Sequence, residues 1–268
     1  MKFLKNILIV LALVMLCTGL DGQVVLQPKE IVDAPKGIIY KKETSFGFRL
    51  HENGFAVSFN KGNIPTFYRT NYYSFELGYY RDPREQRQNK NYSLSLFNSS
   101  RSYVYGKINS VINLRAAVGM KRYLSEKARR RGLAIGYSLE GGPSIALLKP
   151  YYLDLIHIID DDTRDFEIRT ERYTEENAEK FLNENDIYGS SGFFRGFSDI
   201  SIVPGIQAKA SLHFSLGAYD KVVKAVDLGV MADLYIKDVP ILVDSEFISN
   251  KPYFVKLFLK FEIGKRRI

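Results

Sequence analysis

The stretch Val255-Lys256-Leu257-Phe258-Leu259-Lys260-Phe261-Glu262-Ile263 alternates apolar residues with residues that are mostly charged. In a β-strand, successive side chains point to opposite faces, so a period of two predicts a strand with two unlike faces. Here one face is wholly apolar, and the other carries both lysines and the glutamate. A strand of this kind needs partners along its edges, and the same alternation recurs upstream.

Seven further segments share this pattern. In chain order they cover 45–51, 55–60, 73–80, 108–119, 133–140, 206–216 and 226–237. The 18 Tyr and 18 Phe residues agree with a strand-rich fold. No segment after residue 20 approaches the roughly 18 apolar residues of a membrane-spanning helix. The sequence therefore predicts an all-β fold of eight strands.

The first 22 residues have the features of a secretory signal peptide. Lys2 and Lys5 precede an apolar run at 7–16, and small residues follow at 17–19 and at Gly22. Cleavage after Gly19 or Gly22 is expected, which assigns 1–22 to the signal and 23–268 to the barrel domain. Lipidation of Cys17 is an alternative. Because Cys17 is the only cysteine, a disulfide framework, a four-cysteine zinc site and a CxxC redox centre are excluded.

The connections between the predicted strands differ in length. Long connections cover 82–107, 149–199 and 238–252, whereas short ones lie near 52–54, 127–131 and 217–221. With both termini in the periplasm, all three long connections face outward. Short periplasmic turns and long outer loops are typical of outer-membrane barrels. We therefore predict a closed antiparallel eight-stranded transmembrane β-barrel with long extracellular loops, in the outer membrane of a Gram-negative bacterium.

Alternation alone does not say which face points inward. If the charged face lines the lumen, ten charged residues are enclosed: Arg49, Glu76, Arg115, Glu140, Lys209, Asp227, Asp233, Lys256, Lys260 and Glu262. Five are positive and five negative, and buried charges must be paired. The nearly charge-free apolar face would then contact lipid. A soluble secreted barrel carrier, with the apolar face inward, is the alternative.

Three short segments resemble the small eight-stranded outer-membrane β-barrels, of the uncharacterised type found in Bacteroidota. They are Tyr105-Gly106-Lys107-Ile108-Asn109, the stretch from Gly141-Gly142-Pro143-Ser144 to Leu147-Leu148-Lys149-Pro150-Tyr151-Tyr152, and Ser191-Gly192-Phe193-Phe194-Arg195-Gly196. The resemblance covers most of residues 37–268. It implies the fold and the location but no reaction.

His213 and Ser215 could form a base–nucleophile pair, because residues two apart on a strand share a face. Lipid A deacylase barrels use a similar His-x-Ser arrangement. His213 shares its face with Lys209 and Ser211, however, which places the pair in the lumen and near the periplasmic rim. A hydrogen-bonded lumen histidine is therefore the favoured interpretation, and a deacylase-like, lipid-modifying enzyme is the alternative.

The segment 154–186 holds twelve acidic residues and four basic ones. Asp160, Asp162 and Asp165 offer oxygen ligands of the kind that calcium prefers, but a solvated acidic loop is the favoured interpretation. A short helix is predicted from Thr174, as its N-cap, to Leu182. A connection of this length is expected to form an ordered cap or docking surface.

Basic residues cluster at the predicted periplasmic rim, and the clusters contain Lys121, Arg122, Lys127, Arg129, Arg130, Arg131, Lys265, Arg266 and Arg267. Anionic phospholipid heads are the expected partners, with a periplasmic protein as the alternative. Nucleic acid is not expected behind a secretory signal.

The interior of an eight-stranded barrel is just wide enough to be filled by side chains, which argues against a general diffusion porin. The sequence therefore predicts a non-enzymatic, monomeric outer-membrane barrel with a structural, interaction or narrow-channel role. Its expected partners are outer-membrane lipids and an extracellular or periplasmic protein. No cofactor is expected.

Overall fold

The computed structural model describes residues 40–66, 68–89, 93–95, 98–99, 101–124, 133–160, 165–216, 221–244 and 249–268. The predicted signal segment 1–22 lies outside these residues. Among the residues described, no helix has the length and apolar character needed to cross a membrane.

Eight long antiparallel strands form a closed barrel. They are β1 (Lys42–His51), β2 (Gly54–Thr66), β3 (Arg69–Tyr80), β8 (Asn109–Tyr123), β9 (Ala134–Pro150), β13 (Ser201–Ser215), β14 (Val222–Tyr235) and β15 (Tyr253–Arg267). Each strand pairs with the next barrel strand along the chain, and β1 pairs with β15 to close the cylinder. The predicted eight-stranded antiparallel barrel is confirmed.

The apolar face of the strands points outward and the charged face points inward. Burial alternates residue by residue: Phe46 and Phe48 are 58% and 45% exposed, whereas Arg49 is 1% exposed. A belt of exposed apolar side chains encircles the barrel, and its members include Val57, Phe75, Leu77, Leu114, Val118, Ile145, Ile202, Ile206, Leu212, Leu228, Val255, Leu257 and Ile263. We call this set the apolar belt.

Strand β9 continues well past the predicted end at residue 140. Gly141, Gly142 and Pro143 would normally indicate a turn, yet the strand runs on to Pro150. The side chain of Pro143 lies on the outer face and is exposed. A Cβ at Gly142 would collide with the carbonyl oxygen of Ala116 on β8, so close contact between the two strands requires glycine there.

The connections separate by length between the two ends of the barrel. One end carries 52–53, 81–108, 151–200 and 236–252, and the other carries 67–68, 124–133 and 216–221. We call them the loop end and the turn end. The three long connections share the loop end, as predicted, but the short turn 52–53 lies there as well and not with the other short turns.

The loop end carries a small folded cap. Its sheet joins β10 (Tyr152–Asp160), β11 (Asp165–Arg172) and β12 (Ile187–Ser190), and two shorter pairs join β4 (Arg87–Gln88) with β7 (Tyr103–Val104) and β5 (Ser93–Ser95) with β6 (Asn98–Ser99). The cap has its own apolar core, which consists of Tyr103, Leu153, Leu155, Phe181 and Ile187. This core explains how a connection of about fifty residues holds a fixed fold.

The helix of the cap is shorter than predicted. Helix α1 covers Ala178–Leu182, and Asn177, not Thr174, occupies the N-cap position. Thr174 and Asn177 bond each other reciprocally: the Asn177 N–H donates to Thr174 Oγ1 (3.3 Å), and the Thr174 N–H donates to Asn177 Oδ1 (2.9 Å). Thr174 thus closes a turn before the helix, because its side chain bonds the backbone three residues on.

Apolar side chains close the lumen at the loop end. Val239, Ile241 and Leu242, from the last connection, pack against Tyr80 and Tyr235 on the inner wall. All five side chains are 5% exposed or less. We call this cluster, together with Val111, Ala146, Leu148 and Val203, the apolar plug.

Candidate functional site

The lumen is the most highly organised polar region of the barrel. All ten charged residues predicted to line it are buried, with at most 8% of any of them exposed. Side chains lining a wide water-filled channel would be far more exposed, so the described part of the lumen is filled by these side chains.

Glu76 on β3 is the centre of the network. Its carboxylate lies 2.5 Å from Arg49 Nη1, 2.9 Å from Arg115 Nη1 and 3.0 Å from Lys209 Nζ. The guanidinium of Arg49 also lies over the ring of Phe258, 4.5 Å from its centroid. One carboxylate therefore contacts three buried cations, and two of these, Arg115 and Lys209, also contact a second carboxylate.

Between Glu76 and the apolar plug, Arg115 forms a bidentate ion pair with a second carboxylate. Its Nε and Nη2 donate to the two oxygens of Asp233 over 2.9 and 2.8 Å. Lys256 follows, with its Nζ 3.8 Å from Asp233 and 3.6 Å from the centroid of the Tyr80 ring. The charged network thus ends against aromatic side chains of the plug.

Towards the turn end, two lysines link the carboxylates of four strands. Lys209 Nζ donates to Glu140 over 3.2 Å as well as to Glu76. Lys260 Nζ lies 3.9 Å from Glu140, 3.8 Å from Asp227 and 3.5 Å from Glu262. The ion pairs therefore form one continuous chain through the lumen.

Several of these partners are direct cross-strand neighbours. Glu76 lies opposite Arg115, Glu140 opposite Lys209, and Asp227 opposite Lys260. Opposite charges in facing positions stabilise a strand pair. A shift of one residue would turn them to the outward-facing side, so these pairs also specify the register.

Three further lumen residues were not predicted. Lys121 Nζ donates to Glu262 (2.6 Å) and Glu43 (3.2 Å), and Arg266 Nε donates to Glu43 (2.8 Å). The assignment of Lys121 and Arg266 to an exposed basic rim is wrong, because they are 2% and 3% exposed. The alternation of β1, β8 and β15 continues two or more residues past the predicted strand ends, and that continuation is the signal that places these side chains inward.

Of the remaining rim residues, Lys265 and Arg267 are exposed on the outer face of the turn end. Arg129, Arg130 and Arg131 lie outside the described residues.

His213 is a buried member of the lumen network. Its Nδ1 contacts Asp227, the residue opposite it on β14, and its Nε2 lies 3.3 Å from the hydroxyl of Tyr123. Both ring nitrogens are therefore engaged by residues other than Ser215. Ser215 is itself fully buried, so the geometry gives the base–nucleophile hypothesis no support.

His213, Asp227 and Glu262 offer three ligand atoms within 4.8 Å of one another, a combination that can hold a metal ion. Two ammonium groups already neutralise this cluster: Lys260 Nζ lies 3.5 Å and Lys121 Nζ 2.6 Å from Glu262. We therefore interpret it as part of the ion-pair network. The side chains of Asp160, Asp162 and Asp165, the predicted calcium ligands, lie outside the described residues.

A second polar cluster ties the long connections to the loop end. Lys107 Nζ lies 2.8 Å from Glu85, both side chains are nearly fully buried, and Lys107 also forms a β-bridge with Leu242 of the apolar plug. Burial lowers the pKa of Lys107, although the charge of Glu85 opposes that shift. The buried ion pair lies within segment 81–108, and the β-bridge joins that segment to 236–252.

Asp82 lies at the start of the same connection and accepts two side-chain hydrogen bonds from Arg84, over 2.8 and 2.9 Å. Burial alone would raise its pKa, but these bonds hold the pKa below the ordinary value of 3.8. A carboxyl group whose pKa is lowered by folding stabilises the folded form above its unfolded pKa and loses that effect as the pH falls through the folded value. Asp82 therefore stabilises the folded form fully at neutral pH. This stabilisation is lost only in acid, as the pH falls through the lowered pKa of its carboxyl group.

Replacing Lys107 with methionine is expected to loosen the 81–108 connection without unfolding the barrel. The change leaves the Glu85 carboxylate buried without its ammonium partner, and breaking such a pair costs about 3–5 kcal/mol. Limited trypsin digestion with peptide mapping should show faster cleavage at Arg84 and Arg87.

Adding Glu85→Gln to Lys107→Met should restore part of the protection, since the uncompensated charge is then removed. Lys237→Met, at an exposed position of the same end, is the matched control and should leave the digestion rate unchanged. Equal cleavage rates in Lys107→Met and the control would contradict the prediction.

A scan against protein-family models matches no family, and a search of the curated proteins finds no relative, so the resemblance to small outer-membrane barrels remains a prediction.

Proposed function

We propose that this chain is an outer-membrane β-barrel of a Gram-negative bacterium that anchors a folded cap at the cell surface and has a structural or interaction role. The observation that carries the proposal is the apolar belt outside a lumen filled with paired charges. Isolated apolar residues are common on soluble proteins, but a continuous patch of this extent indicates contact with lipid or with a partner.

The dimensions of the strands support a transmembrane position. The barrel strands range from ten residues in β1 to seventeen in β9. A tilted strand needs about 9–11 residues to cross the hydrocarbon layer. Closure of the barrel also pairs every strand edge, as a lipid environment requires.

The lumen supports a scaffold more than a channel or a carrier. The apolar plug and the ion-pair chain fill the path that a solute would take. A carrier for an apolar ligand would need an apolar cavity inside, whereas the inner wall here is charged. The cap, with its own core, is the part best suited to contact an extracellular partner.

Three measurements test the location and the closed lumen. Fractionation should recover the protein with the outer membrane, and the unboiled protein should migrate differently on gels from the boiled one, because an intact barrel resists detergent. Purified protein in planar bilayers should produce no stepwise conductance. Recovery as a detergent-free soluble monomer would overturn the membrane location, and reproducible single-channel steps would overturn the closed lumen.

A further inference from the structure

A groove on the outer wall near the turn end carries four cations. It crosses β1, β2, β3, β8 and β9, and its basic lining residues are Lys41, Lys42, Lys61 and Arg69. All four side chains are exposed. They lie at the margin of the apolar belt, where the strands approach the turn end.

These cations have no acidic counterpart in the groove. Among the described residues that line the groove, the only acidic one is Glu140. Its carboxylate points into the lumen, where it accepts hydrogen bonds from Tyr72 (3.0 Å) and Lys209 (3.2 Å). Arg69 Nε donates to Asn71 Oδ1 over 2.9 Å, which leaves its charge uncompensated. Within the described part of the chain, no carboxylate pairs with any of the four cations.

The rest of the groove is apolar and continuous with the belt. Tyr73 and Val118 are 60% and 62% exposed, and Leu139 is 44% exposed. Gly141 adds no side chain to the floor, and a Cβ built there would meet only the carbonyl oxygen of Gln207, at 3.8 Å. The groove therefore combines a positive rim with a floor that suits a hydrocarbon chain.

Exposed cations also occur elsewhere at the turn end, but they do not line the groove: Arg122, Lys224, Lys265 and Arg267. On the outer face of the turn end of β9 and β13, the exposed residues include Ile135, Leu212 and Leu216. The groove differs from these other cations because its four cations border an exposed apolar floor.

We propose that the groove binds an anionic phospholipid of the leaflet at the turn end, with the lipid's phosphodiester among the four cations and an acyl chain along Tyr73, Val118 and Leu139. The proposal rests on the membrane location proposed above and names the lipid class that this surface selects. Charge complementarity favours an anionic headgroup over a zwitterionic one, because four cations face no carboxylate. The apolar floor favours a lipid over free phosphate.

Native mass spectrometry of the detergent-solubilised full chain tests the proposal. Titration with phosphatidylglycerol should give bound lipid at concentrations at least about tenfold lower than titration with phosphatidylcholine of the same chain length. Each Lys or Arg near an anionic lipid strengthens binding roughly fivefold. The double variant Lys61→Gln, Arg69→Gln should therefore bind phosphatidylglycerol roughly twenty-fivefold more weakly.

Two variants separate the headgroup site from general surface charge. Gly141→Leu has room to fold and should weaken binding of phosphatidylglycerol by filling the floor. Lys224→Gln removes an exposed charge on the outer face of β14, outside the groove, and should have no effect. Excess inorganic phosphate should not displace the lipid.

The outcomes distinguish this inference from the membrane location itself. Flotation with phosphatidylcholine vesicles reports insertion independently of lipid selectivity. If the protein inserts but binds both lipids equally, selective lipid binding by the groove is ruled out and the membrane location stands. The same holds if Lys224→Gln loses as much affinity as the double variant. Displacement by inorganic phosphate would also overturn lipid binding by the groove, whereas failure to insert overturns the membrane location.

Discussion

The Glu76→Gln barrel is expected to be less stable than the wild type by about 3–5 kcal/mol, because the change removes the buried negative charge that contacts Arg49, Arg115 and Lys209. Glutamine preserves the shape of the side chain, so the effect comes from charge and not from a cavity. Unfolding in urea from lipid vesicles, followed on unboiled gels, measures the loss.

A second substitution distinguishes charge imbalance from general damage to the core. Arg49→Met in the Glu76→Gln background removes the cation whose only ion-pair partner among the described residues is Glu76. It should recover part of the lost stability, since neighbouring sites in one network are not additive. Glu175→Gln, in an exposed turn of the cap, is the matched control. Wild-type stability in Glu76→Gln would mean that the network does not support the barrel.

The inward placement of the ten lumen residues follows from alternation alone, whereas the identity of their partners does not. The sequence separates Glu76 from Lys209 by 133 positions, and only barrel closure places their charged groups 3.0 Å apart. Alternation assigns a face and excludes a register shift of one residue, but it does not choose among shifts of two residues. For the same reason, the contact between His213 and Asp227 could not be predicted, although each residue was placed on the correct face.

The strand ends and the connections were the parts of the fold that were hardest to predict from the sequence. Arg266 was placed on the rim because the apparent strand stopped at Gly264, yet Arg266 shares the inward face with Glu262 and Gly264. The cap depends on Leu153, Phe181 and Ile187, which meet through tertiary packing. Such residues form no periodic pattern, since they come from two short strands and a helix of five residues.

The most direct test of whether the outward apolar face contacts lipid is Leu257→Arg on β15. Leu257 is 58% exposed and lies near the middle of the apolar belt, where an arginine facing lipid costs about 2–4 kcal/mol. We expect slower and less complete assembly into vesicles, together with a lower urea midpoint. If the barrel were soluble, the same exposed position would accept arginine with almost no change.

Ile159→Arg supplies the matched comparison. Ile159 is 66% exposed in the cap, at an irregularity of the β10–β11 pair, so it resembles Leu257 in chemistry and exposure but differs in the proposed surroundings. An arginine in water at this position should leave assembly unchanged. Both substitutions replace an exposed aliphatic side chain of the same size with arginine. A loss of assembly or stability that occurs only in Leu257→Arg must therefore come from the lipid around that position. Equal tolerance of both variants would place the apolar belt in water and would remove the basis for a transmembrane barrel.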